Sequence, residues 1–215
     1  MSEDKKPCVF IIESNQWEDE REQRREGMIL REVLTLWEKP VEYRYIRTRK
    51  ELTAVLRQFD KSGFRYLHLS CHGYDDGFAF TVDKIPFQKF VHIASPFLEQ
   101  KRLFVSACAC VNLKLAKPIL SNTSCYSVIG PQGNILFADA ALIWASFYSL
   151  IFKQNQNAMK ADRIEETLSK ICSMFGVRFN AYFRKNQPPY HRFRTLGPKE
   201  LFVVRERIKI PRIGL

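Results

Sequence analysis

Short apolar runs alternate with longer amphipathic stretches along most of this chain, and that alternation restricts the fold more than any other feature. Residues 8–13, 41–47, 64–71, 103–107 and 125–129 read as strands. Between them, 18–37 places Ile29, Leu30, Val33, Leu34 and Trp37 on one helical face, and 50–60 does the same with Leu52, Val55, Leu56 and Phe59. Residues 87–100, 113–120, 137–152 and 162–175 read as further helices, 77–82 as a small hairpin, and 201–210 as a last strand. Pro40 and Gly130-Pro131-Gln132-Gly133 punctuate the series. Strands joined by helical crossovers imply a mostly parallel sheet covered on both faces, hence a three-layer α/β/α sandwich. In such folds the working site lies at the carboxyl ends of the strands.

At 215 residues with 46% hydrophobic content, the chain suits one globular domain over 1–215, without repeats or low-complexity tracts. The longest apolar stretch, 137–152, contains Asp139 and is short for a bilayer, so it reads as a buried core helix and no membrane partner is expected. The first residues, Met1-Ser2-Glu3-Asp4-Lys5-Lys6, lack the apolar segment of a signal peptide, and a cytoplasmic location is expected. The six cysteines then read as free thiols rather than a disulfide framework. A net charge of +11 is concentrated late: residues 178–215 hold ten Lys or Arg against two Glu. Such a segment can contact nucleic acid or an acidic partner, or simply form a solvated face.

Two of the strand-like runs end in reactive residues: Leu67-His68-Leu69-Ser70-Cys71-His72-Gly73 and Leu103-Phe104-Val105-Ser106-Ala107-Cys108. Consecutive parallel strands are usually neighbours about 4.8 Å apart, so His72 and Cys108 can meet across one cleft. Cys108 would attack a carbonyl as thiolate, His72 would take and return the proton, and the backbone N–H groups of Gly73 and Cys108 would form an oxyanion hole. Glycine after the histidine lets the backbone turn and approach a substrate closely. His68, mid-strand, suits a core role; Cys110 shares the strand parity of Cys108 but lies beyond the apolar run. Zinc held by Cys71, Cys108, Cys110 and a histidine is the competing chemistry, although adjacent Cys71 and His72 point to opposite sides of a strand. No metal or other cofactor is expected.

These paired motifs resemble the signatures of CHAT-domain proteases, in the caspase-like cysteine peptidase clan. Asp76-Gly77-Phe78-Ala79-Phe80 with Ile85-Pro86-Phe87 is similar to the insertion between the motifs, and Val128-Ile129-Gly130 with Phe137-Ala138-Asp139-Ala140-Ala141 to the strand, turn and helix after the nucleophile. The resemblance covers roughly residues 8–152. It implies a caspase-like sandwich, His72 as catalytic histidine, Cys108 as nucleophile, a protein substrate, and control by a regulatory protein or ligand, as in effectors of bacterial antiviral or cell-death systems. Where caspases carry glycine two residues after the nucleophile, this chain has Ala109-Cys110. Relatives that cut after Arg or Lys use an acidic pocket, for which Asp75, Asp76 and Asp139 are the candidates, each also a good turn or helix-start residue. Two other functions stay open: a catalytically silent interaction module, and a basic nucleic-acid-binding protein.

Overall fold

A computed structural model describes residues 8–74, 76–155 and 158–198. In chain order these form β1 (Val9–Glu13), α1 (Trp17–Arg21), α2 (Glu26–Leu36), β2 (Val41–Tyr45), α3 (Arg49–Lys61), β3 (Tyr66–Ser70), β4 (His72–Tyr74), β5 (Gly77–Ala79), β6 (Lys84–Pro86), α4 (Phe87–Ala94), β7 (Arg102–Ser106), α5 (Leu113–Asn122), β8 (Ser127–Pro131), α6 (Phe137–Gln154), α7 (Ala161–Met174), β9 (Phe179–Arg184) and β10 (His191–Leu196). A seven-stranded sheet in the order β10-β9-β8-β7-β3-β1-β2 forms the middle layer, and β4-β5-β6 make a small separate sheet. From β2 to β8 the pairs are parallel; β9 and β10 add an antiparallel hairpin.

Strand periodicity sends alternate residues into two cores. On one side Leu67, Leu69, Leu103 and Val105 pack with α3, α4 and α5 through Phe59, Phe90 and Ile119. On the other, Tyr66, Phe104 and Ile129 pack with α2, α6 and α7 through Leu34, Trp144, Phe147 and Leu168. The three-layer sandwich expected from the strand and helix pattern is therefore present. Residues 137–152 lie within α6, whose inner face is one of these cores, and no helix among the described residues is long and apolar enough to cross a membrane.

Two parts of the sequence pattern resolve differently. The single helix over 18–37 is broken between α1 and α2, where Gln23 takes a left-handed φ of 55°. Gly27 at the start of α2 lies so close to β1 and β2 that a Cβ there would sit 2.8 Å from the Tyr43 ring and 2.9 Å from Ile11 Cγ2. That seating fixes α2 and leaves α1 as a separate short turn. The hairpin of β9 and β10 also escapes the simple alternation, while a strand over 201–210 lies outside the described residues. Several cations of the basic stretch serve this edge: Arg184 donates to the Leu120 carbonyl at 3.0 Å, and Arg192 and Arg194 both pair with Glu165.

Candidate active site

The parallel register pairs Ser70 with Ser106, so the two reactive motifs leave the sheet side by side. The ladder runs one step further, Cys71 N–H donating to the Ser106 carbonyl at 3.0 Å. Immediately beyond, His72 and Cys108 line one cleft of about 240 Å³, together with Asp19, Glu26, Leu136 and Phe137.

His72 is oriented by a carboxylate. Its Nε2 lies 2.5 Å from Asp19 Oδ2, and Arg24 Nη1 donates to the other carboxylate oxygen at 3.3 Å. With Nε2–H committed to Asp19, Nδ1 is the ring nitrogen left to exchange a proton. Asp19 sits on α1, too short to hold itself in place. Its neighbour Glu20 provides the anchor, accepting from Tyr45 OH at 2.5 Å and from Arg47 Nε at 3.0 Å. The Arg47 hydrogen bonds hold the Glu20 carboxyl down at about 2.

Cys108 is half-buried, whereas the other five cysteines are buried. Its Sγ lies 3.7 Å from the Ile135 carbonyl. Ala109 then turns through a left-handed φ of 54°, its N–H donating to the Gly133 carbonyl at 3.1 Å. Strand parity stops at that turn, so Cys110 does not share the side of Cys108. It packs in the α3–α5 core with its Sγ 3.4 Å from the Gly77 carbonyl, and burial pushes its thiol up to about 12. Cys71, in the same core, is pushed up by burial as well. Neither offers a ready thiolate.

Gly73 lies in the middle of β4 without a left-handed φ, so close approach rather than a sharp turn is what calls for glycine here. A Cβ at this position would stand 2.1 Å from the Cys108 carbonyl oxygen and 2.4 Å from Cys110 Sγ. The missing side chain lets the histidine and cysteine loops lie directly against each other.

Beneath the cleft is a buried polar cluster. Glu26 Oε2 accepts from Ser106 Oγ at 2.9 Å and Ser70 Oγ at 3.2 Å, joining the ends of β3 and β7. His68 is fully buried, with Nε2 3.4 Å from Glu26 Oε1 and Nδ1 3.0 Å from Tyr148 OH. Next to it Glu13 accepts from Gly27 N–H at 2.9 Å and Tyr43 OH at 2.7 Å. Burial raises the Glu13 carboxyl to about 7, the nearby Glu26 charge adding to the rise.

Two of the carboxylates named from sequence, Asp76 and Asp139, lie outside the cleft lining. Asp76 occupies the turn between β4 and β5, where its carbonyl accepts from Phe87 N–H at 2.7 Å, and lines a different groove between α4 and α5. Asp139 is in the first turn of α6 and is not among the cleft-lining residues; Asp75 lies outside the described residues. The cleft's own carboxylates, Asp19 and Glu26, are hidden in the sequence within the charged run 18–26. Gly27 was the available signal, because a glycine inside an amphipathic pattern weakens the case for one unbroken helix. Among the described residues no group of three His, Cys, Asp or Glu side chains is arranged to hold a metal ion.

No protein-family model and no curated protein matches the sequence. Solved structures do match. One is the Arg-specific cysteine proteinase gingipain R, with a TM-score of 0.52 and 13% identity over 79% of this chain and 42% of that one. Another is a secreted C11 cysteine protease from Bacteroides thetaiotaomicron bound to an irreversible peptide inhibitor, with a TM-score of 0.50 and 9% identity over 82% of this chain and 65% of that one. The chain thus spans less than two thirds of either neighbour. At such identities the likeness concerns architecture: this α/β/α sandwich with its mostly parallel seven-stranded sheet has the fold of caspase-like cysteine proteases.

Proposed function

We propose that the chain is a cysteine endopeptidase working through Cys108, His72 and Asp19. The observation that carries this reading is the shared cleft: the one half-buried cysteine lines it together with a histidine already bonded to a buried carboxylate. The Cys108 thiol gives its proton to His72 Nδ1, and the thiolate adds to the peptide carbonyl. Backbone N–H groups of Gly73 and Cys108 receive the oxyanion. The imidazolium, steadied by Asp19, protonates the departing amine, and water then hydrolyses the thioester.

Glu26 supports a substrate with a cationic side chain. It lines the cleft, and its only ion-pair partner among the described residues is His68. Arg24, the cation at the rim, is taken up by Asp19 and Glu22. Leu136 and Phe137 offer an apolar wall for a Lys or Arg stem. One structural neighbour is itself described as Arg-specific. The CHAT-type resemblance supports the further reading of a cytoplasmic effector held in check by a partner protein or ligand, in a bacterial defence or cell-death setting.

The test is turnover of fluorogenic peptides carrying Arg, Lys, Leu or Asp before the scissile bond. Cleavage after Arg and Lys is expected, lost in Cys108→Ala and reduced roughly 10²- to 10⁴-fold in His72→Ala. Glu26→Gln should raise KM for the basic peptides about tenfold and leave the Leu peptide alone. Cleavage that survives Cys108→Ala contradicts the proposal. Isolated-chain turnover at an ordinary enzymatic rate, about 10 s⁻¹, would remove the need for a partner.

A further inference from the structure

Beside the cleft lies a second concavity of about 370 Å³, lined by residues 131–135 and 176–178. The two share Ile135, whose carbonyl faces Cys108 Sγ. The Gly133 carbonyl on the groove wall holds Ala109 N–H, so the groove and the cysteine loop are one construction. Arg178, also on the wall, donates through Nε to the Pro198 carbonyl at 3.0 Å. The chain therefore enters residues 199–215, which lie outside the described residues, at a groove that shares Ile135 with the cleft.

That segment has the composition a cleft with carboxylates would select. It carries Lys199, Arg205, Arg207, Lys209 and Arg212 against Glu200 and Glu206. Spaced among the cations are Val203, Val204, Ile208 and Ile210, apolar residues suited to a groove. Seven residues from Pro198 to Arg205 can extend roughly 23–25 Å.

We propose that residues 199–215 are a ligand of this cleft, a pseudo-substrate of the same chain that runs along the groove and offers a basic side chain to Glu26. The proposal rests on the peptidase reading for its consequence, competition with basic substrates, but the binding itself does not need catalysis.

Two measurements test it. In the full chain, Arg205→Gln, Arg207→Gln and Lys209→Gln together should lower KM for an Arg reporter peptide at least threefold at unchanged kcat. A fluorescent synthetic peptide of residues 199–215, titrated by anisotropy into that triple variant carrying Cys108→Ala, should bind saturably, and Glu26→Gln should weaken it at least fivefold. An unchanged KM in an active enzyme, or no saturable binding, overturns the proposal. Saturable, Glu26-dependent binding alongside reporter cleavage that survives Cys108→Ala would instead overturn the peptidase reading and leave this one standing.

Discussion

The two faces of β3 and β7 are made of neighbouring residues and do opposite things. On one face Leu67, Leu69, Leu103 and Val105 form a dry core with the helices α3 to α5, and the cysteines that fall there, Cys71 and Cys110, have thiols pushed up by burial. On the other face Ser70 and Ser106 meet the Glu26 carboxylate with His68 beside it. Extending the motifs on that side brings His72 and Cys108 to the cleft. On the proposed reading, reactivity is a matter of which face a residue reaches. Desolvation disfavours the thiolate in the apolar layer, whereas Cys108 is half-buried and lines the cleft with His72.

The largest blow to this arrangement should come from Gly73→Ala, which forces a methyl group into the Cys108 carbonyl and Cys110 Sγ. The two faces would have to part at the loop contact, with a stability loss of about 1–3 kcal/mol and loss of nearly all peptide cleavage. Thermal melting and turnover measured together check it; full activity would mean the loop contact is dispensable. Asp19→Asn should act on the polar face alone. It preserves shape while removing the charge that steadies the imidazolium, so kcat should fall on the order of 10²-fold with melting nearly unchanged. A fall in KM affinity without a change in kcat would contradict that role.

The smallest effect concerns the buried acid behind the site. Glu13 has its carboxyl raised by burial from 4.5 to about 7, so the folded state prefers the protonated form. The cost of ionising it appears as pH rises from about 4.5 to about 7 and is fully present above that. Glu13→Gln should therefore melt close to wild type near pH 4.5 and a few degrees higher at pH 8. Parallel melting curves across this range would show that the polar layer tolerates the charge. Glu20 runs the other way: its carboxyl is held at about 2 by Arg47, so its support of α1 persists at neutral pH and fades as pH falls from about 4.5 towards 2.

Much of the sandwich was legible because parallel strands buried on both faces write themselves as apolar runs, as at residues 103–107, and because α3 shows its inward stripe. His72 and Cys108 were legible because each ends such a run. Asp19 and Glu26 were not. Their placement depends on a break at Gln23 and on Gly27 nesting against Tyr43 and Ile11, contacts set by tertiary packing rather than by local periodicity. The side reached by Cys110 was hidden for the same reason, since one left-handed residue, Ala109, cancels the parity that a straight strand would extend. Phe179-Asn180-Ala181-Tyr182-Phe183 did carry a strand signal in its aromatic content, masked by the basic residues around it.

On the proposed mechanism, this fold makes one cysteine, Cys108, reactive out of six. Treating the full chain with an electrophilic peptide probe bearing an arginine side chain, and mapping every cysteine by mass spectrometry, tests it most directly. The expected result is modification of Cys108 alone, slowed in Asp19→Asn and abolished in His72→Ala. Labelling of Cys71 or Cys110 at a comparable rate, or labelling of Cys108 indifferent to His72, would contradict the account.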